Sequence, residues 1–156
     1  MDGYEIHHPP NKLKSKVTVD ENSSSIEDIE KRAAMSLEGL QEQFLDTVIK
    51  NAEVMKRTWT VINSGKKDAG RQATICQRST EIRNTAKTLG FELIGEIATT
   101  ICEVTDEKIN VADLNMDLIS VHIDALNWTA THNINDAEDP KAIALRAALA
   151  GAKNKV

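Results

Sequence analysis

Aromatic side chains make up only 3% of this 156-residue chain, and there are two cysteines and three prolines. The scarcity of aromatic residues, with Val, Ile, Leu and Ala at helical rather than alternating spacing, argues against a sheet-built core and for an all-α protein. Cys76 and Cys102 both fall among apolar residues, so they read as reduced core thiols rather than a disulfide or metal site. No apolar run approaches the roughly 20 residues that span a bilayer, and no secretory signal opens the sequence. A cytoplasmic protein without membrane contact is expected. The formal charge of -5 and the lack of a basic patch argue against nucleic acid as a partner. The length suits one domain with a real core.

Residues 1–23 differ from the rest. Pro9-Pro10, three nearby lysines (Lys12, Lys14, Lys16) and the polar run from Asn22 predict an extended or flexible N-terminal arm. Ser24 and Glu27 have the spacing of a capping box at a helix start. From there Ile26, Ile29, Ala33, Leu37, Leu40, Phe44, Val48, Ala52, Met55, Trp59 and Ile62 follow one another at steps of three or four, the helical period. Asn63-Ser64-Gly65 ends this first helix. Unbroken, it would be about 55 Å long. Eleven apolar positions exceed what one helix of a compact bundle needs. Two outcomes are open: a bend near Gly39 that folds the first half back, or an extension that pairs with a second copy as a scaffold or dimer.

A second helix is predicted from about Asp68 to Leu89, with Ile75, Ser79, Ile82, Ala86 and Leu89 inward. A third runs from about Phe91 to Val104, and a fourth from about Val111 to His132. Asp139 before Pro140 caps a short C-terminal helix. Four long amphipathic segments with short connections suggest an antiparallel four-helix bundle over residues 24–135, followed by a C-terminal helix and tail over 136–156. On the second helix, Thr80, Arg83, Asn84 and Lys87 form one polar, weakly basic strip. At about 100° per residue Thr80 lies roughly 160° from Ile82, so it is predicted to face solvent. A solvated face is the bland reading of that strip.

The segment Thr80 to Phe91 gives the strip a second reading. Ile82, Arg83, Thr85, Ala86 and Leu89-Gly90 stand at the apolar, basic, small and closing positions of the pattern H-x-L-K-G, small residues, L/F-G. The segment resembles the core of a histidine phosphotransfer (HPt) domain. TLGFELIGEIATTIC (88–102) is similar to the stretch that follows the active histidine. YEIHHPPNKLKSKV (4–17) and VHIDAL (121–126) resemble a group of bacterial HPt-like proteins. The resemblance covers most of Ile26 to His132. It implies an HPt-like bundle in two-component phosphorelay signalling, with a response-regulator receiver domain or a histidine kinase as partner and no cofactor.

Thr80 stands where the resemblance places the phospho-accepting histidine. Neutral imidazole is a good nucleophile near neutral pH, whereas a threonine hydroxyl needs a base, and no histidine lies within a helical turn of Thr80. Asn84 replaces a glycine and Lys87 a small residue. The resemblance therefore implies a degenerate module that binds through Thr80, Arg83, Asn84 and Lys87 without carrying phosphate, and no enzyme. His122 is the one substitute acceptor, although its place at the border of the inner stripe suits a structural, hydrogen-bonded role. His7 and His8 read as surface residues, since a paired His lacks the further ligands of a zinc site. His132 suits a helix C-terminus. Trp59 and Trp128 read as core anchors. There are no paired carboxylates at convincing spacing, no phosphate loop and no Cys-His arrangement.

Overall fold

The computed structural model describes residues 25–155. They form five α-helices and one 3-10 turn, with no strand among the described residues. The all-α class is therefore as expected. The arm over residues 1–23, with His7 and His8, lies outside the described residues.

Helix α1 (Ile26–Asn63) opens on a capping box one residue later than the Ser24–Glu27 spacing predicts. The Asp28 N–H donates to Ser25 Oγ at 3.1 Å, and the Ser25 N–H donates to the Asp28 carboxylate at 3.3 Å. The shorter Asp at the third helical position reaches back as Glu would. Helical backbone passes through Gly39 and ends at Asn63, and in the turn that follows Gly65 has a φ of 103°, which suits glycine. Residue contacts divide the chain into two units, 1–39 and 40–156. In the first, every described residue before Gly39 is exposed, including Ile26, Ile29 and Leu37. These positions do not form the start of a buried stripe within this chain. In the second unit the stripe is buried from Phe44 onward, through Val48, Ala52, Met55 and Ile62.

Helix α2 (Ala69–Leu89) is capped by Asp68, whose carboxylate accepts from the Gly70 N–H at 2.7 Å. It stops at Gly90, where φ is 83° and the following Phe91 N–H closes back onto the Ala86 carbonyl at 2.9 Å. This Schellman closure needs a left-handed residue, which glycine adopts without strain. The residue after it, Phe91, is 1% exposed and its ring lies 5.3 Å from that of Phe44. Helix α3 (Glu92–Val104) follows at once. The expected fourth helix from Val111 is corrected: residues Val111–Asp113 form a 3-10 turn, and α4 spans Met116–Thr131. Two asparagines cause the break. Asn110 accepts from the Ala112 N–H and Asn115 from the Leu118 N–H, so each side chain starts its own turn. Helix α5 (Pro140–Asn154) begins at the Asp139 cap with Pro at its first turn, as its sequence indicates.

Cross-helix bonds position these elements. Gln41 donates to the Leu89 carbonyl, Arg78 to Asn51 and the Ser79 hydroxyl to Met55 sulfur, so α1 and α2 run in opposite directions. Trp59 Nε1 donates to the Met116 carbonyl at 2.8 Å, and Lys56 reaches Ser120 and Asp124, joining α1 to α4. Both tryptophans are half-buried and pack against the core rather than within it. The centre is aliphatic, with Ile75, Ile94, Ile101, Ile119 and Leu126 almost fully buried. Gln72, only 3% exposed, is the polar exception that organises a loop. Its amide nitrogen lies 2.8 Å from the Asp106 carbonyl, 2.9 Å from that of Ile109 and 3.3 Å from that of Thr105, so its two N–H groups serve three acceptors with one bond shared.

Candidate functional site: the groove between α2 and α3

The four strip residues of α2 do not share one environment. Asn84 and Lys87 are exposed, and Arg83 is half-buried. Thr80 is also half-buried and does not stand free in solvent. Its hydroxyl donates to the Cys76 carbonyl at 2.9 Å and lies 3.4 Å from Cys102 Sγ on α3. The helical angle from the single inner stripe through Ile82 puts Thr80 outward. It could not include the second burial direction created when α3 packs along the flank of α2.

Arg83, Asn84 and Lys87 come together on one groove of about 760 Å³ between α2 and α3. Thr80 is not among its lining residues. The opposite wall carries Glu92, Gly95, Glu96 and Glu103 of α3, and Lys153 of α5 also lines the groove. A Cβ on Gly95 would sit 3.7 Å from that of Ala86, so the two helices approach closely there. The acids are partly engaged: Arg146 binds Glu96 through two nitrogens at 2.8 and 3.1 Å, and Lys153 lies 3.6 Å from Glu103. Among the described residues no ion pair joins Arg83 or Lys87 to a carboxylate. The groove thus sets two cations without ion-pair partners among the described residues beside a row of carboxylates.

Behind Thr80 the two free cysteines face each other across the helices. Cys102 Sγ lies 3.9 Å from the Cys76 carbonyl, and Cys76 Sγ lies 4.0 Å from that of Cys102. Burial pushes the Cys102 thiol up, outweighing the Thr80 hydrogen bond and the Arg83 charge that pull it down. It stays a protonated thiol at neutral pH and has little nucleophilic character. Cys102 therefore supplies no base for Thr80. No group of three or more His, Cys, Asp or Glu among the described residues has the arrangement of a metal site.

His122 is set apart from this groove. It is 2% exposed on α4, and its Nδ1 lies 2.8 Å from the Leu118 carbonyl, to which it donates. The ring lines a smaller cavity of about 160 Å³ beneath α5, with Glu96, Arg146 and Lys153 at its rim. Burial lowers its pKa from the ordinary histidine value, and the Lys153 charge lowers it further, against the Leu118 hydrogen bond. The folded state therefore resists protonation more than the unfolded chain does. As pH falls below the unfolded value the unfolded chain takes up a proton first, so stability falls until the folded pKa is also passed. His122→Asn is expected to remove this part of the pH dependence, at most about 1.4 kcal/mol per pH unit for one proton. Denaturant unfolding of both proteins at matched pH values between 5 and 8 measures it; parallel curves would contradict it.

Sequence reasoning missed Gln72 and the carboxylate wall of α3. Gln72 resembles any polar residue in a first turn, and only the loop folded over it gives it partners. The glutamates of α3 were legible as exposed, but not as neighbours of Arg83. No helix among the described residues is long and apolar enough to cross a membrane. Comparison with protein-family models, curated proteins and solved structures gives no match to this chain.

Proposed function

We propose that this chain is a degenerate HPt-like signalling module that docks a receiver domain or a histidine kinase without carrying phosphate itself. In this reading the second half of α1 joins α2, α3 and α4 as an antiparallel four-helix bundle, with α5 laid against α3. The opposed directions of α1 with α2 and of α1 with α4 support that arrangement. The observation that carries the docking reading is the groove in which Arg83, Asn84 and Lys87 meet. Two cations without an ion-pair partner suit the acidic phosphorylation pocket of a receiver, and the facing carboxylates would exclude a mispositioned partner.

The chemistry around Thr80 supports the binding reading. Thr80 Oγ1 already donates its proton to a backbone carbonyl and has a buried thiol beside it. A hydroxyl so held, with no base, does not take a phosphoryl group. The other carrier reading, through His122, meets an obstacle of access. A ring 2% exposed cannot present itself to a receiver aspartate unless α5 first moves away.

Titration of labelled full-length protein with receiver domains and kinase dimerisation regions from the same genome tests the reading. Saturable binding is expected to at least one. Absence of binding to all of them up to about 1 mM, a free energy of about -4 kcal/mol, would remove it. Incubation with phosphorylated receiver should leave no acid-labile phosphate on the chain; label lost in His122→Ala would establish the carrier instead.

A further inference from the structure

The first part of α1 has an apolar face that the described chain leaves uncovered. Ile26, Ile29 and Leu37 are 67%, 50% and 47% exposed, and Ala33 between them is exposed as well. No described residue from Ser25 to Glu38 is buried. A helical segment of this length is marginal in water unless an apolar face is packed.

The spacing on that face says what kind of surface would pack on it. Ile26, Ile29 and Ala33 are followed by Leu37, Leu40 and Phe44 with the same steps of three, four and four, before Val48 starts the pattern again. This is an 11-residue repeat, about 3.67 residues per turn, which keeps a seam nearly straight or slightly right-handed. Knobs and holes interlock best with a helix of the same period, and a second copy of this chain carries that period residue for residue. Small Ala33 in the middle allows close approach.

Charge selects the orientation. At about 100° per residue, Glu27, Glu30, Lys31 and Glu38 fall on one flank of the stripe, which is net acidic, while Asp28, Arg32 and Ser36 fall on the other, where the two charges offset each other. Antiparallel pairing of two copies would bring the acidic flank against itself. Parallel pairing brings it against the other flank, which carries no net charge, so the like charges of the acidic flanks are kept apart. We propose that residues 26–38 of α1 pair in parallel with the same segment of a second copy. The proposal stands independently of the receiver-docking reading.

Sedimentation equilibrium of the full chain over about 1–200 μM is the test, with a monomer–dimer equilibrium in the micromolar range expected. Leu37→Glu should raise the dissociation constant by about 100-fold or more. Its thermal unfolding measured at low concentration should be unchanged, since the side chain is already exposed in one copy. Ile26→Cys and Leu37→Cys, about 16 Å apart along the helix, should each give a disulfide-linked dimer on mild oxidation where the unsubstituted chain does not. Antiparallel pairing allows at most one of the two to do so. A monomer throughout the range, a dimer indifferent to Leu37→Glu, or cross-linking of only one cysteine variant would each overturn the proposal.

Discussion

Replacing Gln72 by leucine is expected to lower stability by about 2–4 kcal/mol, although the two side chains are similar in size. The buried amide serves three carbonyls of one loop, those of Thr105, Asp106 and Ile109. Leucine leaves all three without that donor, and Thr105 is fully buried. An unsatisfied buried carbonyl costs more than the net worth of the bond it loses, so the effect exceeds that of deleting one surface hydrogen bond. Loosening of the loop toward water would recover part of the loss, which sets the lower bound. For a domain of this size the shift in Tm is about 10 °C. Gln72→Glu should be worse at neutral pH, because a carboxylate has no proton to donate and faces three carbonyl dipoles. Thermal and denaturant unfolding followed by circular dichroism measure both, and amide exchange should quicken across residues 105–110. A Gln72→Leu protein within about 0.5 kcal/mol of the original would mean that the loop is held by its apolar contacts instead.

Reversing the charges of the groove should affect docking as strongly as Gln72 affects stability. Arg83→Glu with Lys87→Glu is expected to weaken the proposed receiver or kinase complex by at least about 100-fold, roughly 3 kcal/mol. The substitution removes two cations without ion-pair partners and adds two anions to a groove already lined by Glu92, Glu96 and Glu103. Neither residue is buried, so the Tm should change little. That separates lost docking from lost folding. The original complex should also weaken with salt, and the residual binding of the double variant should not. Equal affinity of the two proteins for a partner that does bind would place the docking surface elsewhere on the molecule.

Packing against α3 also bears on any exchange of Thr80. If the side chain stood free in solvent, exchanging it for histidine would alter chemistry alone. Its contacts with Cys76 and Cys102 mean that an imidazole must either displace the α3 packing or swing out over the groove. A Thr80→His, Asn84→Gly protein that fails to take up phosphate is therefore informative only when its fold has been checked. Overpacking at such a position typically costs about 1–3 kcal/mol.

Helical period, caps and breakers act between residues a few positions apart, so the features that depend on them are legible in the amino-acid sequence. It specified the all-α class, the end of α1 at Asn63, the Gly90 stop of α2 and the Asp139-Pro140 start of α5. Even the errors at this level are small and local. The capping box moves by one residue, and α4 starts later because Asn115 competes for a cap that the apolar period ignores. Burial depends on elements distant in the chain, so it emerges only when the helices pack. One unbroken apolar pattern along α1 is exposed before Gly39 and buried from Phe44, since a period marks a face without saying what covers it. The strip on α2 divides for the same reason. Packing of α3 along one flank draws Thr80 inward and leaves Arg83, Asn84 and Lys87 on the groove. Histidine 122, which the pattern placed at a border, is enclosed once α5 is added. Each of these outcomes needed a neighbour whose position no local spacing specifies.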